Sequence, residues 1–244
     1  MFEALKPAPT AVETCESKIQ ESILSGELAV GDRLPSERTL AEHFQLNRLT
    51  VRAALARLTA SGLISVRQGR GYQINDIRRS GSSDLIKTLH KQCDSSEDKT
   101  YFIETLFQIR RGLYLVVLET LLDVDQTRRQ ALCEQLDHLI GKLSCATTSK
   151  TYAETELNGI RDLLCTLDNI PLILTINPVL NALHEDERLW DINYANKNRK
   201  ADGYRIVRYW IEQKDDDAIF PMMAELKRLD MWTVRQLQSK QFNS

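Results

Sequence analysis

The segment from Leu34 to Gly71 constrains this chain more than any other. It opens with Leu34-Pro35-Ser36-Glu37-Arg38, in which Ser36 can cap a helix and Glu37 sits in a first turn whose dipole favours an acid. Leu40, Ala41 and Phe44 then recur at helical spacing, and Phe44-Gln45-Leu46 makes a turn. Asn47 is a good cap for the next helix, where Val51, Ala54, Leu55 and Leu58 fall at i, i+3, i+4 and i+7 and predict one buried stripe. Gly62 ends that helix. Leu63-Ile64-Ser65-Val66 and Tyr72-Gln73-Ile74 predict two short strands, joined by the tip Arg67-Gln68-Gly69-Arg70-Gly71. Upstream, Val12, Cys15, Ile19 and Ile23 predict a first helix from about Val12 to Ser25, stopped by Gly26.

Three helices followed by a two-stranded wing form a winged helix-turn-helix, and the arginines stand where such a unit meets DNA. Arg48 and Arg52 lie together off the buried stripe, near the end of the helix that would enter a major groove. A guanidinium there can grip guanine O6 and N7, or hold a phosphate. Thr50, and with less claim Leu49, could meet thymine methyls or backbone. At the tip, glycines permit close approach while Arg67, Gln68 and Arg70 supply donors to the minor groove or to phosphates.

Charge is divided along the chain. The net charge is only −2, yet Arg33 to Arg79 holds nine arginines, no lysine and three acids, whereas residues 81–244 hold 21 basic and 25 acidic residues. A basic module joined to an acidic one suits a protein that grips phosphates with one part only. No apolar run approaches the ~20 residues needed to span a bilayer, so a cytoplasmic location with no membrane partner is expected. The five cysteines (Cys15, Cys93, Cys133, Cys145 and Cys165) form no C-x-x-C pair and are expected to be reduced, small apolar residues.

Residues 12–75 resemble the winged-helix domain of the GntR family of bacterial transcription regulators. The runs P-S-E-R at 35–38, T-V-R-x-A-L at 50–55 and G-L-I-x-x-R-Q-G-R-G at 62–71 carry the resemblance. It implies DNA contacts from Arg38, from Asn47, Arg48, Thr50 and Arg52, and from the wing residues Arg67, Gln68, Gly69 and Arg70. Three positions depart from the family pattern. Gln45 stands where glycine is usual, Asn47 where serine is common, and Ala53 where glutamate is common.

We read residues 1–75 as this domain and Asp76 to Ser83 as a linker, with 84–244 an antiparallel all-helical bundle that binds an effector and dimerises; the fold is mainly α. Helices are expected near 84–94, 99–123, 125–144, 149–167, 171–184, 186–195, 199–213 and 215–240. The bundle is similar to the FadR/FCD type of effector domain, on the runs Glu104 to Arg111, Tyr152 to Asn158 and Asp168 to Pro171. Many members of that subgroup hold a divalent metal through an aspartate, a histidine four residues later and two later histidines. The positions matching the first pair are Glu154 and Asn158, and none of His43, His90, His138 and His184 lies in the last two helices. No metal or cofactor is therefore expected, and the histidines read as surface or helix-end residues.

The metal-free, fatty-acid-responsive branch is the nearer comparison. Its acyl-CoA site draws on last-helix positions that correspond to Leu226, Leu229 and Thr233, with Trp232 adjacent. From the residues themselves, Arg110 and Arg111 lie in an apolar helix and could receive a carboxylate or phosphate. Asn158, Trp190, Tyr194, Tyr204 and Trp210 are further candidates to line a pocket, and Lys197-Asn198-Arg199-Lys200 reads as a solvated turn.

The expected function is a homodimeric, sequence-specific regulator of metabolic genes, a repressor, that reads a short palindrome in double-stranded DNA. A small acidic metabolite in the helical domain would control it through differential affinity for the DNA-competent and incompetent arrangements. The alternatives are a regulator answering to long-chain acyl-CoA, or an architectural DNA binder without an effector. No Ser-His-Asp set, paired carboxylates, phosphate loop or metal-ligand spacing points to an enzyme.

Overall fold

The computed structural model describes residues 9–93, 95–213 and 219–241, apart from the side chains of Lys240 and Gln241. It divides into two compact units, residues 1–92 and 93–244.

In the first unit, α1 (Ala11–Leu24), α2 (Glu37–Phe44) and α3 (Arg48–Ala60) precede β1 (Ile64–Arg67) and β2 (Gly71–Ile74), and α4 (Ile77–Ser80) and α5 (Leu85–Lys91) follow. Ser36 and Asn47 cap α2 and α3 as expected. Thr10 and Glu13 form a reciprocal capping box on α1, the Ser36 side chain accepts from the Thr39 amide, and Asn47 accepts from the Thr50 amide. Val51, Ala54, Leu55 and Leu58 are almost fully buried and pack with Cys15, Ile19, Leu40, Leu63 and Ile74 in one core. At about 1.5–3 kcal/mol for each large apolar side chain removed from water, this core is the main force holding α3 in place.

The turn between α2 and α3 is made by Gln45 at φ 54°, a left-handed conformation that glycine adopts without the steric cost. The Leu46 amide closes the turn on the Ala41 carbonyl. Gly62, at φ +78°, cannot be replaced freely, because a Cβ would lie 1.8 Å from the Ser80 carbonyl oxygen.

β1 and β2 pair antiparallel, with Ile64 opposite Ile74 and Arg67 opposite Gly71. The segment from Gly31 to Leu34, which reads as a loop, runs along the free edge of β2. The Gly31 and Leu34 amides donate to the Ile74 and Tyr72 carbonyls, and the Ile74 amide donates to the Asp32 carbonyl. The sequence also suggests a linker at 76–83, and the structure differs there. Ile77, Leu85 and Leu89 pack on the first core, so apolar burial draws α4 and α5 into this unit rather than the bundle.

The second unit is an all-helical bundle of α6 (Ser96–Leu122), α7 (Gln126–Cys145), α8 (Ser149–Leu167), α9 (Ile170–His184), α10 (Glu187–Ala195), α11 (Lys197–Gln213) and α12 (Ile219–Gln241). α7 packs against α8 and α11, and α6 against α9 and α12. The core includes Leu121, Leu132, Leu136, Leu164, Ile176 and Trp210. No helix among the described residues is long and apolar enough to cross a membrane.

Candidate nucleic-acid interface and ligand cavity

The buried stripe of α3 fixes which residues face outward. Asn47, Arg48, Leu49 and Arg52 are exposed and Thr50 is half-buried, all at the opening turns of the helix. The cap orients two of them. Asn47 Oδ1 accepts both the Thr50 amide at 2.8 Å and the Thr50 hydroxyl at 3.0 Å, which leaves the NH2 of the exposed Asn47 side chain available as a donor. Arg48 makes no side-chain hydrogen bond or ion pair among the described residues.

Arg52 is held. Its Nε donates to Glu37 Oε1 at 3.1 Å and its Nη2 to Glu37 Oε2 at 2.8 Å, while the Tyr72 hydroxyl donates to Glu37 Oε1 at 3.2 Å. The Arg52 guanidinium beside Glu37 pulls its carboxyl below the usual range, and burial pushes the Tyr72 phenol up. Glu37 therefore stays ionised and links α2, α3 and β2 in one network. One edge of the Arg52 guanidinium remains open. Arg38 pairs with Glu42 in an exposed i,i+4 contact of 3.2 Å, which is weak enough to yield to a phosphate.

At the wing, Gln68, Gly69 and Arg70 form the tip, closed by the Arg70 amide on the Arg67 carbonyl. Arg67 donates to Gln73 Oε1 at 3.2 Å, and Gln73 donates to the Gly31 carbonyl at 2.9 Å. Arg33, Arg67, Arg70 and Gln73 line one polar recess. Arg33 is the residue that sequence patterns missed, because it reaches the wing only through the pairing of 31–34 with β2. Glu37 and Tyr72 were missed as the holders of Arg52.

The helical unit contains a mainly apolar cavity of 320 Å³, lined by residues of α6 to α12. Two clusters of charged side chains interrupt the apolar lining, and Glu225 adds a further carboxylate. In the first, Arg110 and Arg111 of α6 each bind one oxygen of Asp230 on α12. The Arg110 guanidinium lies 4.7 Å from the centre of the Phe107 ring, and its Nε has no hydrogen-bond partner among the described residues. In the second, Lys200 Nζ donates to both Glu156 oxygens at 2.7 Å and the Tyr204 hydroxyl donates to Oε1 at 2.8 Å. Burial, reinforced by Glu156, raises the Tyr204 phenol well above its ordinary range, so it stays a neutral donor. His184 also lines the cavity, and burial lowers its imidazole pKa.

Of the six effector residues expected from sequence, Arg110 and Trp190 reach this cavity. The other four stand elsewhere. Arg111 does not line the cavity and is turned onto Asp230. Asn158 is exposed, because it sits half a turn from the inward position that Glu156 occupies on α8. Tyr194 stacks edge-on against Tyr152 and donates to the Thr147 carbonyl, and Trp210 is 3% exposed within the core. The run from Lys197 to Lys200 is the start of α11 rather than a solvated turn, and it carries Lys200 inward. His90 is buried in the last turn of α5, a helix-end position as expected. Leu226, Leu229 and Thr233 all line the cavity. Glu154 faces out to Lys150, Asn158 is exposed, and among the described residues no three His, Cys, Asp or Glu side chains converge as ligands. Glu154 and Asn158 therefore form no ligand pair for a metal ion.

A capped, arginine-bearing second helix beside an arginine wing defines a winged helix-turn-helix of the DNA-reading class. Residues 11–74 match the model for bacterial regulatory proteins of the gntR family, and this unit is a GntR-family helix-turn-helix domain. The HTH-type transcriptional regulator Mce2R of Mycobacterium tuberculosis is 42% identical over 88 residues, covering 35% of this chain and 37% of that protein. The match thus spans little more than a third of that relative's length. The fatty acid metabolism regulator protein of Pasteurella multocida is 25% identical over 177 residues, or 72% of this chain and 68% of the relative. LutR of Bacillus subtilis is 31% identical over 119 residues, 47% of this chain and 51% of LutR. Among solved structures, a GntR protein of Streptococcus agalactiae covers 90% of this chain and 99% of its own at 20% identity, with a TM-score of 0.44.

Proposed function

We propose that this protein is a sequence-specific DNA-binding transcription regulator whose helical unit holds a small-molecule effector. The observation that carries the reading is the outward face of α3. Asn47, exposed Arg48 and the half-open Arg52 are presented together at its N-terminal end, in a domain of the GntR family. In a helix-turn-helix this end enters the major groove, and the wing arginines, with Arg33 and Arg38, supply phosphate contacts that fix its register. Two copies reading a short palindrome, with repression as the outcome, complete the reading.

The test is titration of the gene's own upstream region against random duplex of the same length at matched salt. The regulator prefers the upstream region by ~10³-fold or more, as specific binders do. Equal affinity for the two duplexes would falsify this function.

The effector is an anion or thioester with an apolar body, in preference to a small polar acid. The supporting observation is the cavity lining, in which leucine, isoleucine and valine side chains predominate and the charged groups are few. That is the chemistry of an acyl chain, consistent with the positions of Leu226, Leu229 and Thr233. In a thermal-shift comparison, fatty acids or their coenzyme A thioesters raise the melting temperature by several degrees at about a hundred times their Kd, and small dicarboxylates do not. A shift with the dicarboxylates alone would reverse this assignment.

A further inference from the structure

We infer that Leu49 reads a thymine methyl group in each half-site, making it a specificity-determining residue of α3. The inference rests on the DNA-binding function proposed above and adds a base identity to it. Leu49 is 75% exposed at the second residue of α3, whose other large apolar side chains, Val51, Leu55 and Leu58, are buried.

Its neighbours sharpen its role. Thr50, whose methyl is the other apolar group able to touch a thymine methyl here, is half-buried and held in the cap by its hydroxyl donating to Asn47 Oδ1, so it presents less apolar surface than Leu49. Arg52 has two donors committed to Glu37. What the opening turns offer a groove is therefore the Asn47 amide donor, the Arg48 guanidinium, the open edge of Arg52 and, as the one large apolar group, the Leu49 isobutyl group. Donors suit guanine or adenine acceptors. The thymine 5-methyl is the one apolar group on a major-groove base edge, and it is the natural partner of the isobutyl group. Any other base there would leave Leu49 against polar edges or water, with no gain from its burial. Burying one methyl against leucine is worth about four-fold in affinity for each contacted thymine.

The experiment selects binding sites from a random duplex library with the full chain, then replaces each thymine of the enriched site in turn by deoxyuridine, which lacks only the methyl. With the wild-type protein, one thymine per half-site loses about four-fold on this replacement. With Leu49→Ala the same replacement has no effect, while preference at the guanine positions is retained. Leu49 is exposed and alanine is a strong helix former, so Leu49→Ala keeps the wild-type melting temperature. An enriched site whose uracil scan is flat, or is the same for both proteins, overturns this inference alone. A library from which no sequence is enriched overturns the DNA-binding function beneath it as well.

Discussion

Arg48→Ala is expected to abolish the preference for the operator over random duplex while leaving helix content and melting temperature unchanged. Arg48 is the first residue of α3 and is exposed, and the cap below it is made by Asn47 and Thr50, so its removal leaves the helix start intact. A guanidinium paired with guanine is worth tenfold or more per half-site, and a two-fold operator counts that loss twice. Arg52→Ala should cost at least as much, for a different reason. It removes a cation and also leaves Glu37 ionised with only the Tyr72 hydroxyl, setting an uncompensated negative charge beside the phosphates. The double variant Glu37→Ala/Arg52→Ala should therefore bind better than Arg52→Ala alone. Gel-shift titrations at several salt concentrations check both points. Operator affinity like that of the wild type in Arg48→Ala and Arg52→Ala would mean that another surface reads DNA.

The winged unit was legible because its determinants are local. The stripe Val51, Ala54, Leu55 and Leu58, the caps Ser36 and Asn47, and the glycines flanking the tip each act within a few residues of chain. What escaped there depends on pairing at a distance. The 31–34 segment has no alternating pattern, and only its amide bonds to β2 bring Arg33 to the wing. Likewise, serine and glycine near residue 80 read as a linker, although Ile77, Leu85 and Leu89 supply enough apolar surface to join the first core.

The cavity was less legible, for the same physical reason on a larger scale. Arg110 stood out as a cation in an apolar helix, but its partner Asp230 is 120 residues away on another helix. Glu156 meets Lys200 across 44 residues, and nothing in the Tyr152 to Asn158 run says that Glu156 faces inward where Asn158 does not. One signal was available. Lys200 and Tyr204 are four apart, so they share a helix face, and that face meets Glu156.

Asp230→Ala is expected to have the largest effect on stability of any single change in the helical unit. The Asp230 side chain is 5% exposed and binds Arg110 and Arg111, whose side chains are 16% and 17% exposed. Removing it leaves two nearly buried guanidinium groups repelling each other without a counter-charge. Breaking a buried ion pair from one side costs about 3–5 kcal/mol, far more than the pair is worth against an apolar substitute of similar size. The same argument sets the control. Arg110→Met combined with Asp230→Ala removes one charge of each sign, leaves the less buried Arg111 free to turn outward, and should recover much of the loss. Urea unfolding followed by tryptophan emission measures both variants, since Trp190 and Trp210 lie in this unit. If Asp230→Ala unfolds at the wild-type midpoint, the α6–α12 ion pairs are not what holds that end of the bundle closed.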